Sequence, residues 1–192
     1  MIDNVARKRA GKIQLGFIAL AFAVPLALAT WMYNSDRWLP DNGSNYGTIL
    51  QPIINLADLL PSSPVVSLTE HQWLMLYMSS GPCEKDCLEA LYRLRQSRLM
   101  LANEMNRVSR VFLHGESAPD TVVLEEQHAG LISIIDKDLE DLLGDKQPAE
   151  QTPGGIFLID PLGNLVMYFA PELPPGEMVE DIKHLLELSR IG

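Results

Sequence analysis

Cys83 and Cys87 are the only cysteines of the chain, and the residues around them leave few folds open. The apolar run Trp73-Leu74-Met75-Leu76-Tyr77-Met78 leads into Ser79-Ser80-Gly81-Pro82, and Leu88, Leu91, Leu94, Leu101 and Met105 follow at helical spacing. A short, continuous apolar run reads as a buried strand from Gln72 to Met78, and Gly-Pro reads as a turn. The leucine spacing predicts one long helix from about Glu84 to Asn106. Both sulfurs then sit at a helix N-terminus, where unpaired backbone N–H groups and the helix dipole favour thiolate over thiol. Thiolates attack disulfides and bind soft metals, so the pair points to redox chemistry or to Cu(I).

The spacing adds a geometric condition. Residues four apart in a regular helix hold their Cβ atoms about 5–6 Å apart, whereas a disulfide needs roughly 3.5–4.5 Å. Cys83 must therefore lie just outside the helix if the two are to bond, and Gly81-Pro82 gives that freedom. Glu84, Asp86 and Glu89 oppose the dipole's effect on the thiols. A static staple is the plain alternative, but closing so short a loop gains little stability.

The N-terminus bears on where these thiols reside. Arg7, Lys8, Arg9 and Lys12 precede an uncharged stretch from Ile13 to Tyr33, long enough to cross a bilayer of roughly 30 Å. Trp31, Tyr33 and Trp38 stand as interfacial anchors, and the basic cluster should stay cytoplasmic, sending the rest outward. A cleaved signal peptide is the rival reading, on the small residues Ala27-Leu28-Ala29. Either way the cysteines face an oxidising space. Without Asp3 and the four basic residues, 24 acidic and 11 basic residues remain, a balance of −13. Such an outer part argues against a nucleic-acid partner.

These readings divide the chain into a cytoplasmic basic tail (1–12), a transmembrane anchor (13–33), a juxtamembrane linker (34–70) and a folded domain (71–192). Within the linker, Ile49 to Leu60 either lies across the domain surface or forms an edge element. In the domain, Val108 to Leu113 is a second strand, followed by a break at Gly115 to Pro119 and a short helix that Asp120 caps. Leu131 to Ile135 is a third strand, and Lys137 to Leu143 a helix ended by Gly144. The runs Gly155 to Asp160 and Leu165 to Phe169, joined by Pro161-Leu162-Gly163-Asn164, predict an antiparallel hairpin. A final amphipathic helix starts at Pro175. The alternation predicts an α/β fold, a mixed sheet with helices on both faces, ending in the hairpin and helix.

That order, with two thiols at the first helix N-terminus, resembles the thioredoxin layout. With the C-x3-C of Cys83-Glu84-Lys85-Asp86-Cys87 and the hairpin Phe157-Leu158-Ile159-Asp160-Pro161-Leu162-Gly163, the chain resembles the Sco/SenC branch of that superfamily over roughly Trp73 to Leu188. The resemblance implies a single-pass protein of a bacterial inner membrane, with its N-terminus cytoplasmic and its domain periplasmic. It implies a cytochrome c oxidase subunit or another respiratory assembly protein as partner, and copper-site assembly as the task. Sco proteins bind copper through both cysteines and a histidine shortly before the hairpin. Here Pro148-Ala149-Glu150-Gln151-Thr152-Pro153-Gly154-Gly155 holds no histidine, and Leu88 stands where Sco proteins usually have proline. Thr152-Pro153 resembles the thioredoxin cis-proline position instead, which implies that Pro153 holds a partner strand against the sulfurs.

Cys83 would then be the attacking thiol of a thiol–disulfide oxidoreductase and Cys87 the resolving one. The layout brings the end of the second strand to the same edge, which makes His114 the best third ligand for Cu(I) beside Cys83 and Cys87. His128 is a weaker candidate, His71 lies at the wrong end of its strand, and Met78 and His184 suit core and helix surface. Two other classes stay open. One is a non-catalytic interaction module with a structural disulfide. The other is a thiol peroxidase, for which the active-site threonine or serine and arginine find no match around Cys83.

Overall fold

The computed structural model describes residues 18–31, 45–115, 124 and 126–189. The chain divides into two units, one up to Ser44 and one from Asn45. In the first, residues 18–31 form a helix, α1. Its apolar side chains, Phe22, Leu26 and Trp31 among them, are exposed. Among the described residues no helix is long and apolar enough to cross a membrane. The expected span 13–33 runs past α1 at both ends, and Tyr33 and Trp38 lie outside the described residues.

The second unit is built on six strands: β1 (Thr48–Asn55), β2 (Trp73–Ser79), β3 (Val108–His114), β4 (Leu131–Ile134), β5 (Ile156–Ile159) and β6 (Asn164–Phe169). They form one sheet in the order β1-β6-β5-β2-β3-β4. Strands β2, β3 and β4 run parallel, while β2–β5, β5–β6 and β6–β1 are antiparallel. The parallel part follows from the predicted strand–helix alternation, and the antiparallel part from the hairpin. Leu74 and Leu76 of β2 face one side and Trp73, Met75 and Tyr77 the other, all buried. Helices on both faces explain why β2 is a continuous apolar run rather than an alternating one.

On one face pack α4 (Lys85–Met100) and α6 (Pro175–Leu188), through Leu91, Leu94, Met178 and Ile182. On the other lie α2 (Leu56–Leu59), α3 (Pro64–Leu68) and α5 (Lys137–Lys146), through Leu56, Val65, Leu139 and Leu143. The result is a three-layer α/β/α domain of thioredoxin-like architecture.

Three boundaries differ from the sequence expectation. The compact unit starts at Asn45 rather than His71, because β1 is an edge strand paired with β6. Only Leu50 of β1 is buried, so its burial pattern carries little strand signal. The long helix stops at Met100 and continues as a 3-10 turn over Ala102–Arg107. Ala102 takes the left-handed φ of 52° that ends the α-helix. Helix α5 runs through Gly144 to Lys146. Gly144 has open space around it and costs about 1 kcal/mol in a helix, so Pro148, which disfavours a helical residue before it, sets the stop. Asp120 lies outside the described residues; Leu124, Glu126 and Gln127 are helical.

Candidate dithiol site

Three segments converge on one edge of the sheet. Ser79, the last residue of β2, is in register with His114, the last of β3, and the Gly115 N–H donates to the Ser79 carbonyl at 3.3 Å. Tyr77 is in register with Ile156, so the chain entering the antiparallel β5 crosses the same edge. The turn with the cysteines, the end of β3 and the 152–155 segment are thus neighbours by topology.

The turn holds the sulfurs as the spacing required. Helix α4 starts at Lys85, leaving Cys83 outside and Cys87 in its first turn. The two form a disulfide with a Cα–Cα distance of 5.0 Å, inside the usual range. Their environments differ. Cys87 is 5% exposed and belongs to the core with Tyr77, Leu91, Phe112 and Phe169, whereas Cys83 is half-buried and packs against that core from its rim. Glu84, Lys85 and Asp86 between them are exposed. An incoming group meets Cys83 first.

Beneath the helix start lies an aromatic row. Tyr77 stacks on Phe112 with centroids 5.8 Å apart, and Phe112 meets His114 at 5.2 Å. Burial pushes the Tyr77 hydroxyl above its usual range, with Ser79 opposing and Asp86 adding to it. His114 is 7% exposed. Its Nδ1 lies 2.7 Å from the Gly115 carbonyl, and because a carbonyl only accepts, Nδ1 carries the proton. In the neutral ring Nε2 then bears the lone pair.

The 152–155 segment is tied down by residues that sequence reading missed. The Tyr168 hydroxyl donates to the Thr152 carbonyl at 2.6 Å and accepts from the Gly155 N–H at 2.9 Å. A Cβ at Gly155 would overlap the Phe169 carbonyl and reach within 2.5 Å of the Tyr168 ring, so only glycine lets the backbone pass there. The Thr152 hydroxyl holds the Glu172 carboxyl below its usual range, helped by that residue's own N–H and by Arg93. Arg93 donates to the Ala170 and Leu173 carbonyls at 3.3 and 2.7 Å. Its guanidinium therefore fastens α4, which carries Cys87, to the turn after β6. Alternation could place Tyr168 in the core, but its hydroxyl partners are remote in sequence.

Pro153 lies at this edge and is exposed. The expectation of a cis bond at Thr152-Pro153 is not met: among the described residues the cis bond precedes Pro52. His71 is exposed at the opposite end of β2, His184 is exposed on α6, and Met78 packs on the other face of the sheet. His128 is buried away from the cysteine turn, in the segment before β4. Among the described residues no three His, Cys, Asp or Glu side chains are grouped to hold a metal ion. The oxidised pair, lacking thiolates, does not fit one.

A thiol pair at the N-terminus of the first helix after the central strand, opposite a loop that enters an antiparallel hairpin, defines a thioredoxin-fold dithiol protein. Residues 73–189 match the family described as transmembrane-like, thioredoxin-like, C-terminal domain, and the chain belongs to that family. Its fold is similar to that of ScoI from Arabidopsis thaliana, solved with copper bound, at 16% identity and a TM-score of 0.51, covering 65% of this chain and 89% of that one. Yeast Sco1, also solved with copper bound, matches at 16% identity and a TM-score of 0.50, covering 65% and 81%. At such identities the likeness is one of fold. No curated protein sequence matches the chain.

Proposed function

We propose that this protein is a membrane-anchored dithiol–disulfide exchanger of Sco type that serves respiratory oxidase assembly from the periplasmic side of a bacterial inner membrane. The observation that carries the reading is the asymmetry of the disulfide, with Cys83 at the rim and Cys87 in the core. In the reduced protein the Cys83 thiolate attacks a partner disulfide, and one partner sulfur leaves as thiolate. Cys87 then gives up its proton and attacks Cys83, releasing the second partner thiolate. Two electrons pass to the partner, and the Cys83–Cys87 disulfide forms. Pro153 lies where a partner strand would approach that edge. The anchor rests on the uncharged stretch 13–33 and on the exposed apolar surface of α1, which suits lipid better than water.

The test is complementation of a deletion strain by the full chain and by Cys83→Ser and Cys87→Ser. Loss of oxidase assembly in both variants, with a mixed disulfide to a partner trapped by Cys87→Ser, supports the exchanger. Full complementation by both leaves an interaction module with a structural disulfide. Reactivity of Cys83 toward a membrane-impermeant thiol reagent in intact, reduced spheroplasts tests the orientation.

A second reading takes Cu(I) as cargo, and the His114 tautomer favours it. A ring whose Nδ1–H is held by a carbonyl presents Nε2 as a ligand, and His114 ends the strand next to the cysteine turn. On reduction, Cys83 and Cys87 would supply two thiolates and His114 the nitrogen. Titration of the reduced full chain with Cu(I) against a competing chelator decides it. One-to-one binding weakened by His114→Ala supports the cargo, and no competition removes it.

A further inference from the structure

A second polar site lies at the other end of α4, and nothing in the dithiol chemistry uses it. Arg110 stands in the middle of β3, only 3% exposed. Its Nη2 donates to the Ala129 carbonyl at 2.6 Å, while Nε and Nη1 are buried with no hydrogen-bond partner among the described residues. A guanidinium with a single neutral partner is an expensive thing to bury, since charged groups in interiors are normally paired. It lines a pocket of about 200 Å³, together with Arg95, Arg98, Leu99, Glu126 and Gln127. That volume has room for several waters at about 30 Å³ each, and so for a tetrahedral oxyanion.

Among the described residues the charge around the pocket is mostly positive. Among the described residues three guanidiniums line it against the carboxylate of Glu126. Arg98 is held in place by its Nε donating to the Val108 carbonyl at 2.7 Å, and Arg95 is exposed at the mouth. Among the described residues no salt bridge engages Arg95, Arg98 or Arg110. Burial and the two neighbouring arginines pull the Arg110 guanidinium below its ordinary value, and burial, Arg110 and Arg95 do the same to His128. A pocket wall that collects like charges is short of a counter-charge.

We propose that this pocket binds a phosphate-type oxyanion, held by the Arg95 and Arg98 guanidiniums over the buried positive charge of Arg110. The net charge of the lining, three cations against one carboxylate, matches a dianion better than a monocarboxylate. Arginine N–H donors suit its oxygens in geometry and charge. The anion is either a free phosphate or the phosphomonoester headgroup of an unsubstituted phosphatidate lipid, and both present terminal phosphate oxygens carrying more than one negative charge.

The test is calorimetric titration of inorganic phosphate into the oxidised full chain in a zwitterionic detergent, beside acetate and glycerol 1-phosphate. Saturable one-to-one phosphate binding is expected, with acetate at least about tenfold weaker. Arg95→Gln, an exposed change that leaves the core intact, is expected to weaken phosphate about tenfold, and Arg110→Met to weaken it further. Tighter binding of glycerol 1-phosphate than of phosphate assigns the site to a headgroup, and the reverse to a free anion. Either order supports the site. No saturation by any of the phosphates, equal affinity for acetate, or phosphate affinity unchanged in Arg95→Gln overturns it. Cys83→Ser leaves the titration as it was, so the outcome is separate from that of the dithiol reading.

Discussion

The two ends of α4 handle polar chemistry in opposite ways. At its start, Cys83 and Cys87 are closed on each other, the loop opposite is tied by Tyr168, and Arg93 fastens the helix to the turn after β6. In its second half, Arg95 and Arg98 face a buried Arg110 whose Nε and Nη1 have no partner among the described residues. The first end is internally satisfied and waits for a reductant to open it. The second is short of negative charge and waits for an anion. The first end carries a covalent bond between two sulfurs, and the second a concentration of positive charge.

The changes that separate the two ends most sharply come first. Cys83→Ser is expected to abolish exchange with a model disulfide while leaving phosphate binding intact, and a paired activity and titration assay on one preparation checks both. Next in size is Gly155→Ala, whose Cβ has no room beside the Phe169 carbonyl and the Tyr168 ring. Overpacking of this kind costs about 3 kcal/mol. Denaturant unfolding of the oxidised full chain reads it, and an unchanged midpoint would show that the loop at the cysteine edge can give way. Tyr168→Phe removes the partner of both Thr152 and Gly155, at about 1–3 kcal/mol for the groups left unpaired.

At the arginine end the sign reverses. Arg110→Met replaces a buried cation that has one carbonyl partner with an apolar chain, and is expected to leave stability unchanged or raise it by about 1 kcal/mol. A large loss in phosphate-free buffer would mean that Arg110 is a structural strut, not a waiting ligand. The smallest effect belongs to His128. Burial first, then Arg110 and Arg95, hold its folded pKa below the model-peptide value of 6.5. The unfolded chain therefore takes up the proton before the folded one does. The stabilisation is fully present above about pH 6.5 and is lost as pH falls from there through the folded pKa. Unfolding midpoints of the parent and of His128→Gln should converge as the pH is lowered across that window.

Much of the cysteine end was legible from the chain. The strand, the Gly-Pro turn, the place of Cys83 outside the helix, the hairpin and the closing helix all depend on local pattern, and all are present. Less was legible where partners are remote. β1 joins the sheet through pairing with β6, more than a hundred residues on, and through the Gly47 N–H donating to the buried Asp181 carboxylate at 2.7 Å. Arg93 and Arg98 lie on one helix at charged positions whose partners the local pattern does not reveal. Both donate to backbone carbonyls of segments outside the helix.

What the sequence by itself determined is the chemistry that needs only neighbours in the chain: two thiols four apart, one outside a helix and one within it, after a buried strand. Local backbone preference and apolar periodicity are enough for that, because the groups involved lie within one turn of each other. The arginine pocket was decided by tertiary structure alone. Arg110 stands buried in a mostly apolar strand, and its meaning depends on Arg95 and Arg98 of a crossing helix and on Ala129 in the following segment. Burial, and the like charges that packing brings around a guanidinium, exist only once the layers have closed.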